Sequence, residues 1–221
     1  MIILLHGALG SAHQFAGLSS ALHRVPHQIL EFPGHGQTDD IAAPWTIELF
    51  SQWLQTRLQE FESPVTVFGY SMGGYVAMDC ALRNPQLCRR IVTLGTKLRW
   101  SVEGANHETK MLDPDRILEK VPRFAEDLQR RHGADRWRTV LEKTASLMHT
   151  LGAAPVLTTE RMLQCTTPIR FGLGDRDEMV SLDETREFFA ATPGAEFFVL
   201  PATKHPIEKV RQDYLVPMIL G

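Results

Sequence analysis

Residues Pro64–Arg83 read P-V-T-V-F-G-Y-S-M-G-G-Y-V-A-M-D-C-A-L-R. A β-branched run, Val65 to Phe68, leads into Gly69-Tyr70-Ser71-Met72-Gly73, and a helix-forming segment follows to Arg83, stopped by Asn84-Pro85. The order is strand, tight turn, helix, with a serine at the apex. A serine hydroxyl is a poor nucleophile unless it projects from the backbone toward a base, and a sharp strand-to-helix turn provides that projection. Side chains at Gly69 and Gly73 would collide where strand and helix nearly touch. The helix after Ser71 also aims free N–H groups at any developing oxyanion. The pentapeptide alone arises by chance in roughly one chain in ten to twenty of this length. A plain glycine-rich turn with a solvent-facing serine is therefore the competing reading, and the flanking elements and partners must decide.

Around this stretch, short apolar runs alternate with helical patterns. Candidate strands are Ile2–Leu5, Gln28–Phe32, Val65–Phe68, Ile91–Leu94, Ile169–Gly172 and Glu196–Leu200; helical segments are expected near 13–24, 46–61, 72–83, 182–191 and 206–215. Thr46 reads as an N-cap, with Leu49, Trp53, Leu54 and Leu58 forming one apolar stripe. Several strands are uninterrupted apolar runs, as expected where helices cover both faces. The alternation implies an α/β fold with a doubly wound, six-stranded, mainly parallel sheet. One stretch breaks the rhythm. Residues 101–167 are helical in character, with candidate helices at 114–132, 134–151 and 158–164. A single βα crossover needs far less chain, so this segment reads as a helical insertion into a core of residues 1–100 and 168–221.

Composition bounds the rest. The 221 residues are 43% apolar and 22% charged, which fits one soluble globular domain with a substantial core. A net charge of −3 with no basic block gives no electrostatic reason to expect nucleic acid or a membrane surface. The densest basic stretch, Arg130, Arg131, Arg136 and Arg138, is interleaved with acids and reads as a solvated helix face. Cys80, Cys88 and Cys165 show neither disulfide-framework nor zinc spacing and are expected to be buried thiols. The opening apolar run is too short for a signal or membrane segment, so a cytoplasmic location is expected. No metal or cofactor is expected.

In an open parallel sheet, ligands and catalytic groups gather beyond the carboxyl ends of the strands. After the first strand comes His6-Gly7-Ala8-Leu9-Gly10, whose Ala8 N–H can supply an oxyanion donor, with His6 structural. After the second, His35 in Pro33-Gly34-His35-Gly36 reads as loop scaffolding. Gly174-Asp175-Arg176-Asp177 follows the fifth strand and Lys204-His205-Pro206 follows the sixth. An acid and a histidine from these two loops can converge on Ser71 in the chain order Ser, Asp, His. Asp175 and Asp177 are two residues apart in an extended loop, so only one faces the histidine.

These pieces together resemble the α/β-hydrolase superfamily over nearly the whole chain. The resemblance implies Ser71 as nucleophile, His205 as base, Asp177 as orienting acid through Gly174-x-x-Asp177-x-x-Val180, and the Ala8 and Met72 amides as oxyanion hole. It implies a lid from residues 101–167, with Trp137, Leu141, Met148 and Leu151 as candidate liners or as packing within the lid. Two departures stand out. Members usually begin with two further strands, here absent from the sheet as read. The histidine usually follows a glycine, whereas Lys204 precedes it here and can alter the local field. A serine at the elbow argues against the dehalogenase and epoxide hydrolase branches. The implied chemistry is acyl transfer on a small-molecule ester or thioester. Alternatives are a menaquinone-pathway-like synthase using the same triad, or a small-molecule receptor of the same fold. The synthase carries an arginine where this chain has Tyr75; Arg123, Arg130, Arg131 or Arg136 can replace it as a carboxylate clamp.

Overall fold

In β1 (Ile2–Leu5) successive side chains enter different cores. Ile3 and Leu5 join an apolar cluster of 35 buried residues, while Ile2 and Leu4 join one of 14 on the opposite face, as the two-residue repeat of a strand requires. The computed structural model describes residues 1–221. The other strands are β2 (His27–Leu30), β3 (Val65–Tyr70), β4 (Cys88–Leu94), β5 (Ile169–Gly174) and β6 (Glu196–Leu200). They form one sheet in the order β2-β1-β3-β4-β5-β6, every neighbouring pair parallel.

Ten α-helices accompany the sheet. The larger cluster takes side chains from α2 (Ile47–Leu58), α3 (Met72–Arg83) and α9 (Leu182–Ala191); the smaller takes them from α1 (Ala16–Ala21) and α10 (Gln212–Leu220). Burying a Phe or Leu of this kind stabilises by about 1.5–3 kcal/mol, so each face of the sheet is held by its own helical layer. Local signals start the helices: Thr46 Oγ accepts from Leu49 N–H at 3.1 Å, and Ser181 with Glu184 forms a reciprocal cap on α9. No helix is long and apolar enough to cross a membrane.

Between β4 and β5 lie α4 (Val102–Thr109), α5 (Pro114–Lys120), α6 (Pro122–His132), α7 (Trp137–Ala153) and α8 (Thr159–Met162). The expected helix 114–132 is two helices. Pro122 has no N–H for Leu118 O and its ring clashes with that carbonyl, so the chain breaks at Val121 (φ −139°, ψ 59°). Helix α4 was not expected, because its interior is polar and contains Gly104; its start was signalled by Ser101, whose hydroxyl accepts from Gly104 N–H at 3.0 Å. Gly152 of α7 permits its close packing: a Cβ there would lie 2.6 Å from Ala105 Cβ. The helix expected at 206–215 instead begins at Gln212, since Val210 and Arg211 are extended. Likewise 13–24 opens as a 3₁₀ turn, Ala12–Phe15, before α1.

The chain runs from β1 outward to β2, then back across β1 to β3. This reversal makes the β1–β3 boundary a topological switch point, where the loops after the two strands leave a crevice between them.

Candidate functional site

The loop after β3 is strained at one residue. Ser71 has φ 52° and ψ −119°, a region that costs a non-glycine residue on the order of 1–3 kcal/mol. Its N–H donates to Leu94 O at 2.9 Å, and its carbonyl accepts from Gly74 N–H and Thr96 Oγ, both at 3.0 Å. The neighbouring glycines allow the turn to close. A Cβ on Gly69 would sit 2.4 Å from Gly74 Cα, inside the turn. On Gly73 it would meet Leu5 O at 2.3 Å and His6 O at 2.7 Å, so this glycine lets α3 approach the end of β1 rather than its own strand.

The loops after β5 and β6 are laced together. Asp175 N–H donates to Leu200 O, Arg176 N–H donates to Thr203 O, and Asp175 Oδ1 accepts Thr203 N–H, all at 3.0 Å. Gly174 has no side chain because Thr203 O would lie 2.2 Å from its Cβ. Asp175 is exposed, and the backbone N–H groups of Ala202 and Thr203 lower its pKa. Asp177 turns the other way. Its Oδ1 accepts from Met179 and Val180 N–H at 2.9 Å, and its Oδ2 accepts His205 Nδ1–H at 2.8 Å. Burial alone would raise the Asp177 pKa; His205 and the two N–H groups outweigh it and hold the carboxyl below its usual range. The Asp177 side chain is 2% exposed and that of His205 11%, so this bond is largely shielded from water.

With Nδ1 held by Asp177, Nε2 is the free ring nitrogen. His205 lies against the serine loop: its ring centroid is 5.3 Å from that of Tyr70. Gly95 (φ 61°) links the two, following the Leu94 carbonyl that binds Ser71. A Cβ on Gly95 would be 3.0 Å from Asp177 Oδ2 and 3.2 Å from the His205 ring. Ser71 Oγ makes no direct hydrogen bond to His205 in this structure, and such bonds often tighten only when substrate binds. On the other side, a Cβ on Gly7 would meet Ser71 Cβ at 3.1 Å, which puts the β1 loop beside the serine. Ala8 is half-exposed and its N–H donates to no protein acceptor; Met72 opens α3, and its N–H, unlike that of Gly74, has no partner in the turn.

Three other histidines are buried and structural. His6 is buried, donates from Nδ1 to Gly7 O at 2.8 Å and accepts Phe32 N–H on Nε2 at 3.1 Å; burial lowers its pKa to about 3. His35 is buried and stacked on Trp45 at 4.5 Å. His132, at the end of α6, accepts Gly36 N–H at 3.0 Å and donates to Leu9 O at 3.0 Å. The basic stretch is only half a solvated face. Arg130 and Arg138 pair with Asp127 and Asp115 at the surface, whereas Arg131 donates to Leu9 O at 2.7 Å and Arg136 to Gly36 O and Thr38 O at 2.7 and 2.8 Å. Those inward contacts left no mark on the spacing. Nor did Tyr70 and Thr96, which only the packing places against His205 and Ser71; Gly95, after a strand end, was the one legible signal.

Lys204 pairs with Glu178 at the surface. Tyr75 is buried, its hydroxyl accepting Leu157 N–H at 2.8 Å. Trp137, Leu141 and Leu151 are buried in the larger apolar cluster; Met148 is half-exposed. The three cysteines are free and buried. An open cavity of about 490 Å³ lies along Ile29–Glu31 and Trp53 and includes no residue of the Ser71 site. No group of three or more His, Cys, Asp or Glu side chains is arranged to hold a metal ion.

The thioesterase domain profile matches residues 1–207. The chain belongs to the thioesterase domain family. Among curated relatives of this thioesterase-domain chain, it is 30% identical over 121 residues to Lipase LipV of Mycobacterium tuberculosis, covering 51% of the chain and 46% of the lipase. It is 34% identical over 106 residues to a pimeloyl-[acyl-carrier protein] methyl ester esterase of Photobacterium profundum, covering 47% and 39%. It is 29% identical over 80 residues to a 2-succinyl-6-hydroxy-2,4-cyclohexadiene-1-carboxylate synthase of Photorhabdus laumondii, covering 36% and 29%. The matches span less than half the length of these relatives. In fold the chain is similar to NosK from Streptomyces actuosus, with a TM-score of 0.80, 21% identity and 98% and 96% of the two chains covered. The thioesterase domain from the curacin biosynthetic pathway gives 0.73 and 16%, with 99% and 90% covered. The chain has the α/β-hydrolase fold of these solved structures.

Proposed function

We propose that this chain is a serine hydrolase that cleaves a small carboxylic ester or thioester through an acyl-enzyme on Ser71. The observation that carries the reading is the shielded Asp177–His205 bond, which leaves Nε2 free beside a strained serine turn. His205 Nε2 takes the Ser71 proton as Oγ attacks the carbonyl carbon. The carbonyl oxygen becomes an oxyanion facing the Ala8 and Met72 N–H groups. Collapse expels the alcohol or thiol, which takes the proton from His205, and a water activated by the same nitrogen releases the acid. Asp177 keeps the proton on Nδ1, which leaves Nε2 free to accept, and stabilises the imidazolium that forms. The insertion 101–167 acts as a lid, and its bonds to Leu9 O support that role.

The synthase reading has less support, because the position following Ser71-x-Gly-Gly is the buried Tyr75 and both Arg131 and Arg136 are engaged by backbone carbonyls. A fluorophosphonate should label Ser71 in intact-protein mass spectrometry, and Ser71→Ala should abolish labelling and turnover of p-nitrophenyl esters of graded chain length. Labelling at another serine, or turnover surviving in the variant, would overturn the assignment; slow, near-stoichiometric turnover would favour a receptor.

A further inference from the structure

The turn that presents the Ala8 amide is held by the insertion. Gly10 N–H donates to Gly7 O at 3.0 Å, closing a four-residue turn centred on Ala8 and Leu9. Leu9 has φ 58°, the left-handed value that the third position of a type II turn demands and that glycine usually supplies. Left-handed backbone costs a leucine roughly 1–2 kcal/mol, and relaxing it would rotate the Ala8–Leu9 peptide, next to the oxyanion donor. Two neighbouring side chains at the end of α6 oppose that rotation by donating to the same carbonyl: Arg131 Nη1 at 2.7 Å and His132 Nε2 at 3.0 Å from Leu9 O. The His132 donor has a fixed direction. Its Nδ1 accepts Gly36 N–H at 3.0 Å, so the neutral ring carries its proton on Nε2. Arg131 is steadied by Glu208, 3.7 Å away.

We infer that Arg131 and His132 are positioning residues of the oxyanion turn, holding the Ala8 N–H where the tetrahedral oxygen forms. This rests on the catalytic reading of Ser71 and Ala8. The insertion then governs the rate of the acyl-transfer step as well as access to it.

The test uses the full chain and p-nitrophenyl acetate, an ester too small to depend on a long acyl pocket. Removing an oxyanion donor outright costs roughly 10²–10³-fold in kcat. Displacing one by Arg131→Met should cost about 10- to 100-fold, with KM changed less than about twofold. Arg131→Lys should recover most of the loss. Affinity for a boronic acid that forms a tetrahedral adduct on Ser71 should fall by the same factor as kcat/KM. His132→Leu is the second variant, and circular dichroism establishes that each variant is folded. The inference is overturned if folded Arg131→Met keeps its kcat, or if kcat falls while boronate affinity is unmoved. Fluorophosphonate labelling of the wild-type chain separates the failures. Labelled Ser71 with an unaffected Arg131→Met kcat removes the positioning role alone; no labelling removes the catalytic reading and this inference with it.

Discussion

Acidification should unfold this protein through three buried histidines well before its carboxylates titrate. His6, His35 and His132 are fully buried, with ring centroids 5.1 Å apart for the first pair and 5.9 Å for His35 and His132. Burial, mutual repulsion and the nearby Arg131 and Arg136 keep them neutral: His6 is lowered to about 3, His132 to about 4, and His35 well below the usual value. Hydrogen bonding agrees, since His6 Nε2 and His132 Nδ1 both accept backbone N–H groups and cannot be protonated without losing them. In the unfolded chain each titrates near 6.5. The unfolded state therefore binds more protons below that pH, and stability falls as pH falls, from about 6.5 down to about 4. At pH 5 each histidine removes about 2 kcal/mol, so the three remove about 6 kcal/mol from a typical 5–15 kcal/mol. Urea titrations followed by tryptophan fluorescence at pH 5, 6, 7 and 8 measure this directly. His35→Phe should reduce the slope by about a third, because the ring stacked on Trp45 is retained and only a 3.2 Å bond to Pro33 O is lost. An unfolding free energy that stays level from pH 7.5 to 5 would refute the reasoning.

Asp177→Asn should fold normally, because its Oδ1 can still accept Met179 and Val180 N–H, yet it presents an NH₂ to His205 Nδ1 and enforces the wrong tautomer; kcat for a p-nitrophenyl ester should fall about 10⁴-fold. Asp175→Ala loses the bond to Thr203 N–H and should lower stability by about 1 kcal/mol in urea titration, with kcat within about twofold of wild type. Gly73→Ala drives a methyl group into the Leu5 and His6 carbonyls, which are backbone and cannot step aside; a loss of about 1–3 kcal/mol or more, seen as a lower Tm, is expected along with lost labelling of Ser71.

The residues that announced the site are those whose identity follows from local backbone geometry. Ser71 sits on a turn that only small neighbours allow; Gly69 recorded that need, and Gly73 recorded the approach of α3 to the end of β1. Gly174 recorded the passage of Thr203 O against the end of β5. Asp175 and Asp177, two apart in an extended loop, had to point different ways, and the resemblance to the family pattern Gly174-x-x-Asp177-x-x-Val180 indicated which was which. Strand positions were likewise legible from unbroken apolar runs, and β1 and β6 begin and end where the pattern says. The misplacements fell where a local signal conflicts with a longer pattern. Pro122 splits an apparently continuous helix, and α4 hides in a polar segment whose partner, Gly152, lies almost fifty residues away in sequence.

From sequence alone came the doubly wound parallel sheet, the serine turn and the helical segment between β4 and β5, because each depends on interactions within a few residues, while the pairing of Asp177 with His205 came from the family resemblance. Tertiary structure decided what the insertion does to the site. Arg131 and Arg136 carry the same charge as Arg130 and Arg138 and lie in the same basic stretch, yet two face water and two reach backbone carbonyls of the core loops. A carbonyl such as Leu9 O belongs to no residue type, so its capture by side chains 122 and 123 residues along the chain leaves no trace in composition or spacing. Only the folding of α6 against the β1 loop brings them together.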